Sequence, residues 1–287
     1  MSVEKVDPIF TSIIKLLPGI GLGLVSGILS GMFGVGGAIV TTPGIRLILG
    51  GTAMDAVATP LVGVIPSSIT GAYRYLKTGI ADWRLGMCVG LGGGVMSVAG
   101  ALIATELGGE FVMLGTALVL ILSAAQTFAT IYQEGKKGHA QSVGESAQGE
   151  TGASDVLVAT PHTRTNYIKA MGIGAFAGLY AGFFGLGGGV IIVPALNRFL
   201  KMNYKQAIGT SLLSISIISV PALAMHAYLG NVNWMLAVGL VLGVVPGAWL
   251  GAKITVGASE RATSIGFALL LIAMGLWLGV SEMLGLR

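Results

Sequence analysis

Two glycine runs carry the chemistry this chain can offer. Residues 33–37 read Phe-Gly-Val-Gly-Gly and residues 184–188 read Phe-Gly-Leu-Gly-Gly, each within an apolar stretch and each followed six residues on by a proline, Pro43 or Pro194. Glycine adopts backbone conformations closed to other residues. Non-helical backbone at membrane depth is tolerated only where protein or a watery cavity surrounds it. A helix that restarts after Gly37 or Gly188 presents free backbone N–H groups and the positive end of its dipole, which together suit a small anion. The expected contacts are Gly34, Gly36 and Gly37 in the first run and Gly185, Gly187, Gly188 and Gly189 in the second.

Hydroxyl groups follow both runs. Thr41 and Thr42 precede Pro43. Thr59 and Thr210 recur at matched positions, followed by Ser67 and Ser68 in one case and by Ser211, Ser214, Ser216 and Ser219 in the other. Thr41, Thr59, Thr210 and Ser211 are candidate donors to substrate oxygens. The competing reading is a hydroxyl bonded to its own helix backbone. His226 lies in an apolar segment and is a candidate proton relay, with a packed or interfacial histidine as the simpler reading. Arg46 and Arg198 either draw anions inward or snorkel from helix ends.

Absences narrow the class. All twelve acidic residues lie in termini, loops or segment ends. Proton and cation carriers use buried carboxylates, so a cation carrier is disfavoured. A membrane hydrolase needs a nucleophile, a base and an orienting group in one place, and the segments offer little to build one, so no enzyme is expected. Cys88 is the single cysteine, which leaves no intrachain disulfide and no thiol metal cluster. No strand–helix unit with an acidic ribose partner accompanies the glycines, which removes a dinucleotide reading. No cofactor, metal or nucleic-acid partner is expected.

The elements that must position these groups are apolar. Of 287 residues 54% are hydrophobic and 10% charged, against about 25% charged in a soluble domain. The composition is that of an all-α polytopic membrane protein whose surroundings are the lipid bilayer. Shifting the chain by 151 residues aligns Gly21–Ile121 with its second half without a gap, and 27 of those 101 positions are identical. The chain is therefore two repeats, residues 1–132 and 167–287, joined by a polar stretch, 133–166, that reads as a flexible linker. The N-terminus has acidic residues before its first apolar run and does not read as a removed signal peptide.

Each repeat yields five apolar segments, roughly 18–33, 37–49, 56–76, 85–104 and 111–131, then 169–184, 189–200, 207–229, 235–255 and 262–280. The third to fifth are long enough for an ~30 Å hydrocarbon core. The first two of each repeat are short, and a re-entrant hairpin fits them. Loop charge alternates with opposite phase in the two repeats. Arg74, Lys77 and Arg84 follow the third segment of the first, where the second has no charge; Lys253 and Arg261 follow the fourth segment of the second, where the first has Glu106 and Glu110. The positive-inside rule then gives inverted-topology repeats, termini outside and linker cytoplasmic. Inverted repeats with discontinuous helices meeting at the midplane are a transporter architecture.

The signature Gly-x-Phe-Gly-x-Gly-Gly with its later proline, at Gly31–Pro43 and Gly182–Pro194, resembles the TauE/SafE family of sulfite and sulfoacetate exporters, as does Ala-x-x-Thr at Ala56–Thr59 and Ala207–Thr210. The resemblance covers nearly the whole chain outside the linker. It implies a multi-pass protein of the cell membrane that moves small sulfur-containing anions outward. Two departures stand out: Ala38 where the second repeat has Gly189, and Pro60 where it has Ser211. The resulting expectation is a secondary transporter exporting sulfite or a C2 sulfonate by alternating access at a site between the repeats. The alternatives are an exporter of another small solute, such as an amino-acid-like molecule, and a scaffold subunit that transports nothing.

Overall fold

In a slab without water every backbone amide must find its acceptor within the protein, and an apolar run meets that demand by becoming a helix. The computed structural model describes residues 8–109, 111–125 and 163–283, and the regular structure within them is helical throughout. The first half contains α1 (Pro8–Phe33), α2 (Ala38–Leu47), α3 (Ala53–Ala58), α4 (Pro60–Lys77), α5 (Trp83–Leu107) and α6 (Phe111–Ala125). The second contains α7 (Arg164–Phe184), α8 (Gly189–Leu200), α9 (Tyr204–Tyr228), α10 (Trp234–Gly257) and α11 (Glu260–Met283). Among the described residues six stretches are long and apolar enough to cross a membrane, with α3 and α4 together forming one of them.

Local sequence sets the boundaries. Thr52 and Asp55 form a capping box at the start of α3, which satisfies two of the amides a helix start leaves free. The Asp82 carboxylate accepts from the Arg84 and Leu85 amides at the start of α5, and the Asn233 carbonyl oxygen accepts from Leu236 at the start of α10. Proline has no N–H to donate, and Pro60 separates α3 from α4 at Thr59, which keeps helical angles. Ser211 stands at the corresponding place in α9, which runs unbroken for 25 residues.

The first segment of each half is longer than its apolar run suggests. α7 has 21 residues and α1 has 26, and at 1.5 Å per residue 21 residues span about 31 Å. Helical hydrogen bonding continues through the polar residues Arg164–Asn166, which the sequence assigned to the linker, and Pro18 sits inside α1 without ending it. The shortness holds for α2 and α8, with 10 and 12 residues. The rest of the proposed linker, to residue 162, lies outside the described residues.

The two halves exchange partners. On α1, a Cβ placed on Gly23, Gly27 or Gly31 would collide with the carbonyl oxygen of Leu240, Val244 or Ala248 on α10. On α7, a Cβ on Gly174, Gly178 or Gly182 would collide with the carbonyl oxygen of Val89, Gly93 or Ser97 on α5. Each residue of the second set lies 151 positions from its counterpart in the first, and so do all their partners. Swapping the halves returns the same contacts. Small residues let helix backbones come this close, and the approach draws each first helix against the fourth helix of the other half.

Hydrogen bonds repeat the exchange. The Thr59 hydroxyl oxygen accepts the Asn233 N–H at 3.0 Å, and the Thr210 hydroxyl oxygen accepts the Asp82 N–H at 3.0 Å. The Tyr75 hydroxyl donates to the Gly31 carbonyl at 3.2 Å, while His226 Nε2, at the position matching Tyr75, lies 2.9 Å from the Gly182 carbonyl. Positive φ angles also pair up, Gly79 at 72° with Gly230 at 73° and Gly50 at 67° with Lys201 at 54°.

The crossing glycines generate a graded expectation. Gly27→Val and Gly178→Val force a branched side chain into a backbone contact, and overpacking of this kind costs about 1–3 kcal/mol or more. Gly21→Val and Gly172→Val, also related by 151 residues, meet no atom within 4 Å. In detergent, the first pair should lose most of the monodisperse folded protein or several degrees of Tm. The second pair should stay within about two degrees of wild type. Equal behaviour of the two pairs would remove close backbone approach as the cause of the glycine pattern.

Candidate functional site

The chain leaves the helix at Gly34 and re-enters it at Ala38, and again leaves at Gly185 and re-enters at Gly189. Six glycines make these breaks possible. Gly34, Gly36 and Gly37 have φ of 72°, 79° and 85°, and Gly185, Gly187 and Gly188 have 68°, 71° and 82°. A side chain at such angles is strained by roughly 1–2 kcal/mol per residue, so each Phe-Gly-x-Gly-Gly run is required by backbone shape. Residues 33–45 and 185–190 are buried throughout.

The breaks meet. A Cβ on Gly189 would lie 2.6 Å from the Val35 Cα and against the Gly34 carbonyl oxygen. Val64 on α4 and Ile215 on α9, another pair 151 residues apart, both stand against both breaks. Their methyl carbons would lie 2.9 and 3.1 Å from a Cβ on Gly36, and 3.1 Å each from a Cβ on Gly187. Gly34 and Gly36 of the first break and Gly187 and Gly189 of the second thus come together at one buried centre against Val64 and Ile215, while a Cβ on Gly37, Gly185 or Gly188 would instead meet Ser26, Val57 or Ala177.

Carbonyls and amides at the breaks are treated differently. Ser211 Oγ donates to the Gly34 carbonyl at 2.6 Å, Ser67 Oγ to the Gly36 carbonyl at 3.1 Å and Ser26 Oγ to the Gly37 carbonyl at 2.8 Å. Thr41 Oγ1 also reaches the Gly37 carbonyl at 3.3 Å. The Val40 and Thr41 amides turn back to Gly37, and the Ile191 and Ile192 amides to Gly188. Neither helix start has a side-chain cap. The amides ahead of them, Ala38 and Ile39 in α2 and Gly189 and Val190 in α8, are the first donors of their helices, which no residue within the same helix can accept.

The other candidates are distributed by role. Ser211 and Thr41 sit at the first break with their protons on its carbonyls. Thr59 and Thr210 are fully buried and act as acceptors in the joints between halves. His226 is held on both ring nitrogens: Nε2 at the Gly182 carbonyl, and Nδ1 at 3.4 Å from Asn231 Nδ2, which also donates to Thr105 Oγ1 at 3.0 Å. A ring facing a carbonyl on one side and an amide NH2 on the other is matched as a neutral Nε2–H tautomer, the same bond Tyr75 makes across the pseudo-symmetry. That geometry pins helix to helix. Arg46 and Arg198 lie in the last turns of α2 and α8, at the end away from the breaks.

Two of the serines that the sequence offered only among several hydroxyls stand apart from the rest. Ser68 and Ser219 are fully buried and their hydroxyls have no hydrogen-bond partner. Ser68 Oγ would lie 3.4 Å from a Cβ on Gly36. The signal was present, because 68 and 219 differ by the repeat offset. What set them apart from the other serines of these helices was invisible without the packing.

Comparison with known proteins places the chain in a family. Residues 19–278 match the family described as sulfite exporter TauE/SafE. A probable membrane transporter protein of Bacillus subtilis, YunE, is 28% identical over 242 residues, covering 81% of this chain and 84% of its own. A probable membrane transporter protein of Xylella fastidiosa is 25% identical over 266 residues, covering 92% and 94%. One from Methanocaldococcus jannaschii is 24% identical over 291 residues, covering 96% and 99%. No solved structure matches the chain. The match across residues 19–278, with two glycine breaks at its centre, shows that the chain belongs to the TauE/SafE family of membrane transporters.

Proposed function

We propose that the protein is a secondary exporter of a small sulfur-containing anion, sulfite or a C2 sulfonate such as sulfoacetate, and that the anion binds between the two glycine breaks. One observation carries this reading: two buried, uncapped helix starts of ten or more residues face one centre from matched positions in the two halves. Free amides and the positive dipole ends of two helices favour a negative charge there. The family's description as a sulfite exporter supports the choice of anion.

The halves lie in opposite senses across the membrane in this reading, with the linker cytoplasmic and the termini outside. The basic α4–α5 connection, with Lys77 and Arg84, against the uncharged α9–α10 connection supports it. Trp83 and Trp234, both more than half exposed at the starts of α5 and α10, fit interface anchors. α2 and α8 are too short to span and enter partway from opposite faces. Transport proceeds as Val64 and Ile215 part to admit the anion on one side and then the other, with the joints at Thr59 and Thr210 carrying the rocking of one half against the other. The inside-negative potential supplies ~2.3 kcal/mol per charge per 100 mV for anion exit, so no ATP site is required.

Flux in proteoliposomes tests both parts. Sulfite or sulfoacetate trapped inside should leave faster when a valinomycin–potassium gradient makes the interior negative. At 100 mV the equilibrium ratio of a monovalent anion should shift by about 40-fold. Potential-independent flux refutes the electrophoretic mechanism, and transport of neutral amino acids in preference to every anion tried refutes the substrate class. Gly36→Ala and Gly187→Ala should cut flux at least tenfold while membrane insertion stays within twofold of wild type. Undiminished flux in both removes the glycine breaks from the site.

A further inference from the structure

The helices that flank the breaks, α3–α4 and α9, carry many hydroxyls, but only two pairs stand at matched positions. Ser67, Thr70, Ser211, Ser214 and Ser216 correspond to Ile218, Pro221, Pro60, Gly63 and Ile65, none of which has a hydroxyl. Thr59 matches Thr210, and Ser68 matches Ser219. The threonine pair is already engaged in the joints between halves. The serine pair is buried at 0% exposure with no partner.

An unpartnered buried hydroxyl costs stability, because its bonds to water are lost and not replaced. A serine in a helix has a ready alternative in a carbonyl of its own preceding turn. Ser67, its neighbour, uses one, donating to Val64 at 3.0 Å as well as to Gly36. Ser68 and Ser219 do not. Their position explains what they are free for. Ser68 lies one helical turn beyond Val64, and Ser219 one turn beyond Ile215, on the faces that pack against both breaks. Ser68 Oγ is beside Gly36 itself.

We infer that Ser68 and Ser219 are direct substrate ligands, each donating its hydroxyl proton to an oxygen of the anion held between the glycine breaks. The inference rests on the anion-export reading and deepens it. Two hydroxyls and two helix starts supply donors from opposite sides, which suits a head group with three acceptor oxygens, as in sulfite or a sulfonate.

Binding and stability read together test the assignment. Purified wild type, Ser68→Ala, Ser219→Ala, the double variant and Ser67→Ala are titrated with sodium sulfite and with sodium sulfoacetate while thermal unfolding is followed. Each of Ser68→Ala and Ser219→Ala should weaken binding about tenfold, and the double variant more than either. Their anion-free Tm should be unchanged or raised, because the hydroxyl removed had no partner. Ser67→Ala should instead lower the anion-free Tm, since it deletes the bond to the Gly36 carbonyl. Wild-type affinity in both single variants overturns the serine assignment and leaves the anion site standing. A fall in anion-free Tm that parallels the loss of binding gives the serines a structural role and also overturns it. Absence of any anion-dependent shift in wild type overturns the serine assignment and the anion reading together.

Discussion

A backbone that leaves the helix inside a hydrocarbon slab must be enclosed by protein, and this constraint governs the rest of the molecule. Both breaks are buried, so their peptide groups look first to protein partners. Enclosure demands that surrounding helices come closer than ordinary side chains permit, which accounts for glycine along α1 and α7 where they meet α10 and α5. It also demands partners for the freed carbonyls. At the first break these are the hydroxyls of Ser211, Ser67 and Ser26. The amides of the restarting helices receive no such side-chain cap. Satisfying the acceptors while leaving donors open makes a break electropositive without introducing a charged residue, whose cost at the membrane centre would be several kcal/mol.

How much of this was legible follows from what each signal depends on. The breaks were readable because glycine at positive φ is a local requirement, and the two runs declare it in the same five-residue pattern. The number of apolar segments was readable for the same reason that a membrane span is: length and hydropathy suffice. The extent of α1 and α7 was not, because a helix does not stop where its apolar face stops. Arg164 and its neighbours continue it by backbone bonding alone. Glycines four apart, Gly27 and Gly31 in α1 and Gly243, Gly247 and Gly251 in α10, permit close packing but do not name the partner. That each first helix packs against the fourth helix of the other half is a long-range choice no short motif encodes.

Side-chain roles were hardest to read, since a hydroxyl or an imidazole is defined by what it faces. Thr59 and Thr210 read as ligand candidates because they are matched, and each also accepts an amide N–H from the loop that leads into the opposite half's fourth apolar segment. His226 looked titratable because histidine is. Its bond to Gly182 repeats the bond of Tyr75 to Gly31, and a tyrosine fills that place equally well. Repetition across the halves therefore marks a shared mechanical duty as readily as a chemical one. Hydrogen bonding separates the matched pairs: the threonines accept an amide, the tyrosine and histidine reach a carbonyl, and Ser68 and Ser219 have no partner at all.

The same comparison shows that the halves are not equivalent. The three serines that hold the first break have, across the pseudo-symmetry, Pro60, Ile218 and Ala177 in their places. None can donate to the second break the bond that its counterpart gives the first. Interhelical hydrogen bonds in membranes are worth roughly 0.6 kcal/mol each on average and up to about 1.7, so three of them amount to about 2–5 kcal/mol of extra restraint on Gly34–Gly37. A difference of a few kcal/mol between two conformations leaves the minor one at only about 0.1–10%. An imbalance of this size makes the first break the more firmly held of two otherwise matched ones. The sequence thus keeps Ser68 and Ser219 at matched positions while varying the serines that restrain the carbonyls, so the two breaks share a shape without sharing its support.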